Sequence, residues 1–419
     1  MNDRASRPDR ALIESPLLPD RATAPRLAYL ETLRGIAALT VVFSHILAAA
    51  NFQGRAAGLI LAAIGSPLSL LINGRGAVIF FFTLSGYVLM LRALETNDTG
   101  TISRGALKRW PRLAGPVLAS TLLSWALWHF GLYFHAAAAT IAGNDWLLHF
   151  ANGSLNPRDP PDMRLFAAIR QGAWSTFIHG ADSFNSSLWT MSYELAGSFA
   201  IFLAAFLVIM VRGRLIAVAA ILIAVFGAMA WYDLLYVPFG VGLALAWLHA
   251  GRGRALPYPA SAILICCAVY GFGYRGGAVT YTWLPSVGPE TDALTLVFTV
   301  ASAALIHGIT AWPRARRGLS GRVGRLLGSL SFPIYLIHVP VILSLGCATL
   351  VALQPNWGGN VASAAMACTS LAGTAAAARL LWIADQRWVA FLNRIVGRLS
   401  GFAREWRQRS AWHPGWRAR

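Results

Sequence analysis

Apolar segments of bilayer-spanning length recur along the chain, near residues 29–50, 76–93, 113–134, 186–211, 214–231, 233–250, 257–274, 291–311, 331–352 and 360–384. A segment that leaves water for hydrocarbon must satisfy every backbone N–H and C=O internally. Ten such segments therefore specify an all-α polytopic membrane protein with about ten transmembrane helices. The composition agrees, at 56% hydrophobic and only 12% charged residues, against about a quarter charged in soluble domains. An eleventh apolar run, 57–72, carries Gly65 and Pro67 and is too short for a confident span, so it reads as interfacial or re-entrant.

The formal charge of +18 rests almost wholly on arginine, with Lys108 the only lysine. In so apolar a chain this excess marks orientation, and nucleic acid is not an expected partner. With a cytoplasmic N-terminus and ten spans, the cytoplasmic loops 94–112, 212–213, 251–256 and 312–330 and the C-terminal tail collect most of the arginines. The opposite loops hold only Arg55, Arg75, Arg158, Arg164, Arg170 and Arg275. The even count with both termini cytoplasmic follows from that asymmetry; counting 57–72 as a span would invert it at every later loop. Residues 1–26 read as a polar basic tail, 27–385 as the membrane domain, and 386–419 as a basic amphipathic tail suited to anionic lipid. The four cysteines sit in apolar runs and read as small hydrophobes. The loop 135–185, with Pro-Arg-Asp-Pro-Pro-Asp at 157–162 and with His149 and His179, reads as an interfacial cap or a carbohydrate-facing surface. His129, His135, His249 and His307 fall at helix ends, where an interfacial role is the plain expectation.

Ionisable residues inside spans are costly and mark function by default. The first span carries Glu31, Arg34 and His45. Arg34 and His45 are nearly three turns apart, about 16 Å along one helical face. The second span contains Phe81-Phe82-Thr83-Leu84-Ser85-Gly86-Tyr87, followed by Arg109-Trp-Pro-Arg112. Trp189-Thr-Met-Ser-Tyr-Glu194 opens the fourth span, and Ser331-Phe-Pro-Ile-Tyr335-Leu-Ile-His338 lies in the ninth.

These motifs, in this order, resemble the integral-membrane acyltransferases of family 3, which O-acylate surface carbohydrates and other secreted molecules. The family's acidic residue, LRG-(I/L)-A and later His correspond to Glu31, Arg34 to Ala37, and His45, with Glu in place of the commoner Asp. Its FF-x-x-SG-(F/Y), Arg-x-x-Arg and SYxxYLxH elements correspond to 81–87, Arg109 with Arg112, and 331–338. Its W-S-L-S-x-E-E/Q element is similar to 189–195, except that Leu195 replaces the second acidic or amide residue. The resemblance spans roughly 27–385.

The resemblance implies a multi-pass enzyme of the bacterial cytoplasmic (inner) membrane. Its implied co-substrate is acyl-CoA, most often acetyl-CoA, and its acceptor a glycan or lipid-linked sugar hydroxyl. His45 would be the general base or an acyl carrier, and Arg34, Arg109 and Arg112 would hold the CoA phosphates. Spacing alone leaves the Arg109–Arg112 pair equally open to a topological anchoring role. Glu31 reads as the i, i+3 partner of Arg34. Glu194 is open to two readings, orienting His45 or the acceptor, or packing its own helix entry. Ser85 with Gly86 reads as a close-approach or polar-lining element rather than a nucleophile. Tyr335 and His338 share a helix face as supporting residues. A ten-helix transporter or flippase for a glycolipid or acyl donor is the rival, though no repeat relates the two halves.

Overall fold

The computed structural model describes residues 27–150, 162–252, 256–275, 281–282 and 290–411, and every regular element among them is helical. The first half of the bundle is built from α1 (Ala28–Ala49), the short α2 (Gly54–Ile64), α3 (Gly74–Thr96), α4 (Thr99–His129) and α5 (Thr190–Met210). The second half adds α6 (Leu215–Tyr232), α7 (Val237–Arg252), α8 (Tyr258–Phe272), α9 (Glu290–Ala311), α10 (Arg322–Val341) and α11 (Cys347–Ala411). The basic N-terminal tail and residues 157–161 of the expected loop turn lie outside the described residues, as do the side chains of the C-terminal tail beyond 396.

Helix occupies each of the ten expected segments. Seven helical stretches among the described residues are long and apolar enough to cross a membrane. One of the seven, Arg322–Val396, carries two expected segments, and the chain bends inside it at Gly358, whose φ of 75° breaks the helix. Two expected segments fall short of that measure. In α4 the apolar run is diluted by Ser120, Thr121 and Ser124, all buried in the bundle, and α8 is only 15 residues long. Residues 57–72 form α2 and a 3-10 turn at Pro67–Ile72, neither long enough to cross.

Three stretches expected as loops are largely helical among the described residues, one being 135–185, which holds helices at His135–Ala142 and Leu165–Arg170. Within 94–112, α3 continues to Thr96 and α4 begins at Thr99, across a turn where Asn97 takes the left-handed conformation (φ 51°). Asp98 caps α4 by accepting from the Gly100 amide at 2.8 Å. Its carboxyl lies below the usual aspartate range because the Thr101 hydroxyl, the Gly100 amide and Arg104 favour the anion. The loop 312–330 likewise holds a helix at Pro313–Leu319 and the first turns of α10.

Side-chain size sets which helices touch. A Cβ on Gly86 of α3 would collide with the carbonyl of Phe239, and one on Gly242 of α7 with that of Thr83. Glycine at both places lets the two backbones meet, as small residues do where lipid supplies no hydrophobic drive between helices. The same device joins α1 to α10. A Cβ on Gly35 would lie 2.9 Å from the Gly328 amide nitrogen, and one on Gly328 would strike the carbonyl of Glu31. The Arg-Gly pair of the first motif thus has two separate jobs: Gly35 seats α1 on α10, and Arg34 is left beside the contact.

Candidate active site

Tyr335 and His338 are positioned by proline chemistry in α10. Pro340 has no N–H to offer the carbonyl of Leu336, which a regular helix would satisfy. That carbonyl instead accepts from Ser120 Oγ and Asn185 Nδ2, each at 2.7 Å and buried. Tyr335 donates its phenol proton to the Ser187 carbonyl at 2.8 Å and lies 2.8 Å from Thr190 Oγ1. These bonds pin α10 to α4 and to the turn Ser186–Trp189 that leads into α5. With its proton held by a backbone carbonyl, Tyr335 is a structural post and cavity wall.

His45 of α1 meets His338 of α10. The rings are nearly parallel, with 5.0 Å between centroids and 4° between planes, and His45 Nδ1 lies 2.8 Å from His338 Nε2. Tautomers follow from the partners. His338 Nδ1 sits 2.7 Å from the Tyr335 carbonyl and 3.2 Å from that of Ile334, which only accept, so Nδ1 carries the proton. In neutral His338 the Nε2 lone pair is then the acceptor, and His45 donates Nδ1–H to it. His45 Nε2 is left as the nitrogen with a lone pair, oriented from behind in the way a second-tier acceptor orients a catalytic imidazole.

The arginines lie deeper than their sequence positions imply. Because α4 begins at Thr99, Arg109 is about 15 Å along it, inside the bundle rather than at a helix start. Its Nε donates to Ser198 Oγ at 2.8 Å, and its Nη2 pairs with Glu194 Oε1. Glu194 also accepts from Ser85 Oγ at 2.6 Å. Its carboxylate is thus committed to Arg109 and Ser85, and the hydrogen bond that orients His45 comes from His338. Arg34 pairs with Glu31 at 3.1 Å, the expected i, i+3 geometry. Arg112 pairs through both terminal nitrogens with Asp385 of α11, at 2.5 and 3.0 Å. Asp385 is 4% exposed and was not among the expected site residues. A carboxylate at the end of an apolar run was the available signal.

Two cavities join these groups. The first, about 350 Å³, is lined by Arg34, Arg109, Arg112, Ser85, Glu194 and Tyr335, among apolar side chains. The second, about 460 Å³, is lined by His45, Arg75, Ser186, Trp189 and Tyr335 among others. Val78 and Tyr335 belong to both walls. The structure therefore brings all the expected residues except Glu31 and His338 to the walls of two adjoining cavities. Those two residues stand behind these walls, on Arg34 and His45.

Of the four histidines expected at interfaces, His129 is exposed, while His135 and His249 are buried. His249 lies 2.8 Å from the Tyr87 hydroxyl through Nδ1, and lies 2.6 Å from His307 Nδ1 through Nε2. Helix-end position did not make His135 and His249 interfacial, because neighbouring helices cover those ends.

A sequence model of a protein family, described as an acyltransferase domain, matches residues 27–379. No curated protein and no solved structure matches the chain.

Proposed function

The chain belongs to the acyltransferase 3 family, and from that membership we propose that it moves an acyl group, with acetyl the favoured case, from acyl-CoA to a hydroxyl of a glycan or lipid-linked sugar. Family membership makes it a membrane acyltransferase and sets aside the transporter reading. The observation that carries the finer proposal is the shared Val78–Tyr335 wall, which brings the arginine-lined cavity up against the cavity of His45.

The arginine pattern supports ten crossings with both termini cytoplasmic, and the family membership supports placing them in a bacterial inner membrane. On that orientation Arg34, Arg109 and Arg112 face the compartment where acyl-CoA is made. Each already has a carboxylate partner, so phosphate would enter by exchange of partners, which suits a site that must bind and release. The thioester would reach toward Tyr335. From the far side an acceptor hydroxyl would approach His45. Nε2 takes the hydroxyl proton as the oxygen attacks the thioester carbonyl; the C–S bond breaks and the CoA thiolate leaves. His338 stabilises the imidazolium by accepting Nδ1–H. A two-step route through an acyl-imidazole uses the same nitrogen.

The test is His45→Ala, with acyl-CoA-dependent acylation measured in membranes alongside protein level and acyl-CoA binding. Turnover should fall by about 10²–10⁴ with donor binding retained. Unchanged acylation would remove His45 from the chemistry.

A further inference from the structure

We propose that the cavity at the arginine-poor end of the bundle is a binding site for a lipid-linked phosphoryl group, and that the acceptor is delivered there as a lipid phosphate or diphosphate ester. This rests on His45 being the transfer centre.

The cavity, about 620 Å³, is large enough for a substantial ligand and shares Ser44, Gly74 and Arg75 with the His45 cavity. Gly74 closes directly on α1, where an added Cβ would lie 2.9 Å from Ser44 Oγ. Arg75 and His45 are thus sequence neighbours of two touching residues. The second cation on the wall is Arg275, flanked by Tyr274. These are two of only six arginines in the loops of that side, where topology disfavours them. Both line one cavity, and no carboxylate lines it among the described residues. The inner cavity differs, since each of its arginines has a carboxylate partner. Two cations without an anion in the wall fit a phosphoryl group.

The occupant's other end is read from α2. Ala57, Ile60, Leu61 and Ile64 line the cavity, while Leu59 is 69% exposed and no residue of the helix is buried. An apolar helix too short to cross, resting on the bundle with its other face bare, lies in acyl chains. The wall is therefore apolar beside lipid and cationic beside the His45 cavity. Toward His45, Ser186 Oγ is buried and has no hydrogen-bond partner among the described residues, leaving a polar atom for an acceptor hydroxyl. An amphiphile with tail, phosphoryl and hydroxylated head, in that order, matches this sequence of surfaces.

The experiment measures retention of radiolabelled dodecyl phosphate by the full-length protein in phosphatidylcholine nanodiscs, with empty nanodiscs as blank and dodecanol and inorganic phosphate as competitors. Dodecyl phosphate should be retained, with each of R75Q and R275Q weakening it about tenfold and neither competitor displacing it at equal concentration. Equal displacement by dodecanol would overturn the phosphoryl assignment, and equal displacement by inorganic phosphate the lipid one. Because Arg275 is exposed, R275Q tests the site even if R75Q, which loses bonds to Thr291 and Thr295, fails to fold. Unchanged retention in folded R275Q overturns the proposal. Retention is read without turnover, so failure of this binding site and failure of the His45 transfer reading are told apart by the two assays.

Discussion

The chemistry of the site reduces to which atom holds each proton. Two backbone carbonyls dictate the tautomer of His338, and His338 dictates that of His45. Replacing His338 by Leu removes the acceptor and should lower kcat by about 10²–10³ with the KM for acyl-CoA unchanged. Gln, whose oxygen can accept from His45 while its amide donates to the Tyr335 carbonyl, should recover much of the loss. If Gln and Leu are equally impaired, the tautomer role fails; if Leu raises KM alone, His338 belongs to binding. The Glu31–Arg34 pair was legible in the sequence because helical spacing alone brings i and i+3 together. The His45–His338 and Arg112–Asp385 pairs were not. Their members are 293 and 273 residues apart, and periodicity says nothing about which helix packs on which. Glu194 was found as a residue with its partner left open for the same reason: its neighbours Arg109 and Ser85 come from two other helices.

At the scale of elements, glycine decides the geometry. The contact of Gly35 with Gly328 holds the helix of Arg34 and His45 against the helix of Tyr335 and His338. Gly328→Leu should force the two apart, lowering stability by about 1–3 kcal/mol as overpacking does. The midpoint of thermal inactivation in detergent should drop accordingly, and acylation should fall further than unfolding explains, because the His45–His338 bond lengthens with the helices. Gly318→Leu, at a position with open space around it, is the control and should change neither. Equal effects at the two sites would dispose of the packing argument. Where helices run was readable from hydropathy; where they begin was not. The start of α4 at Thr99 depends on a cap and a left-handed turn within a polar stretch that resembles any charged loop.

Over the whole molecule, groups at each end of the bundle collect by contact. Tyr29 reaches Thr310 at 3.0 Å, Lys108 reaches Asn393 at 2.9 Å, and Arg112 reaches Asp385. At the other end Asn51 bonds Ser363 at 2.8 Å, and Asn73 bonds the Phe272 carbonyl at 2.7 Å. For the residues named, the grouping agrees with the arginine-rich and arginine-poor sides read from the sequence. A fluorescent protein fused after Arg419 should therefore fold and fluoresce in the cytoplasm, and alkaline phosphatase inserted after Gly131 should be active outside. Active phosphatase at the C-terminus would invert the topology and with it the direction of donor approach.

The pairing of α1 with α10 also has a consequence in time. Synthesis proceeds at about 5–20 residues per second, so His338 emerges roughly 15–60 s after His45. Throughout that interval the first helix carries its imidazole without the His338 acceptor. On the proposed mechanism, a fragment ending before α10 should lack the His338 acceptor and transfer acyl groups far more slowly than the full chain.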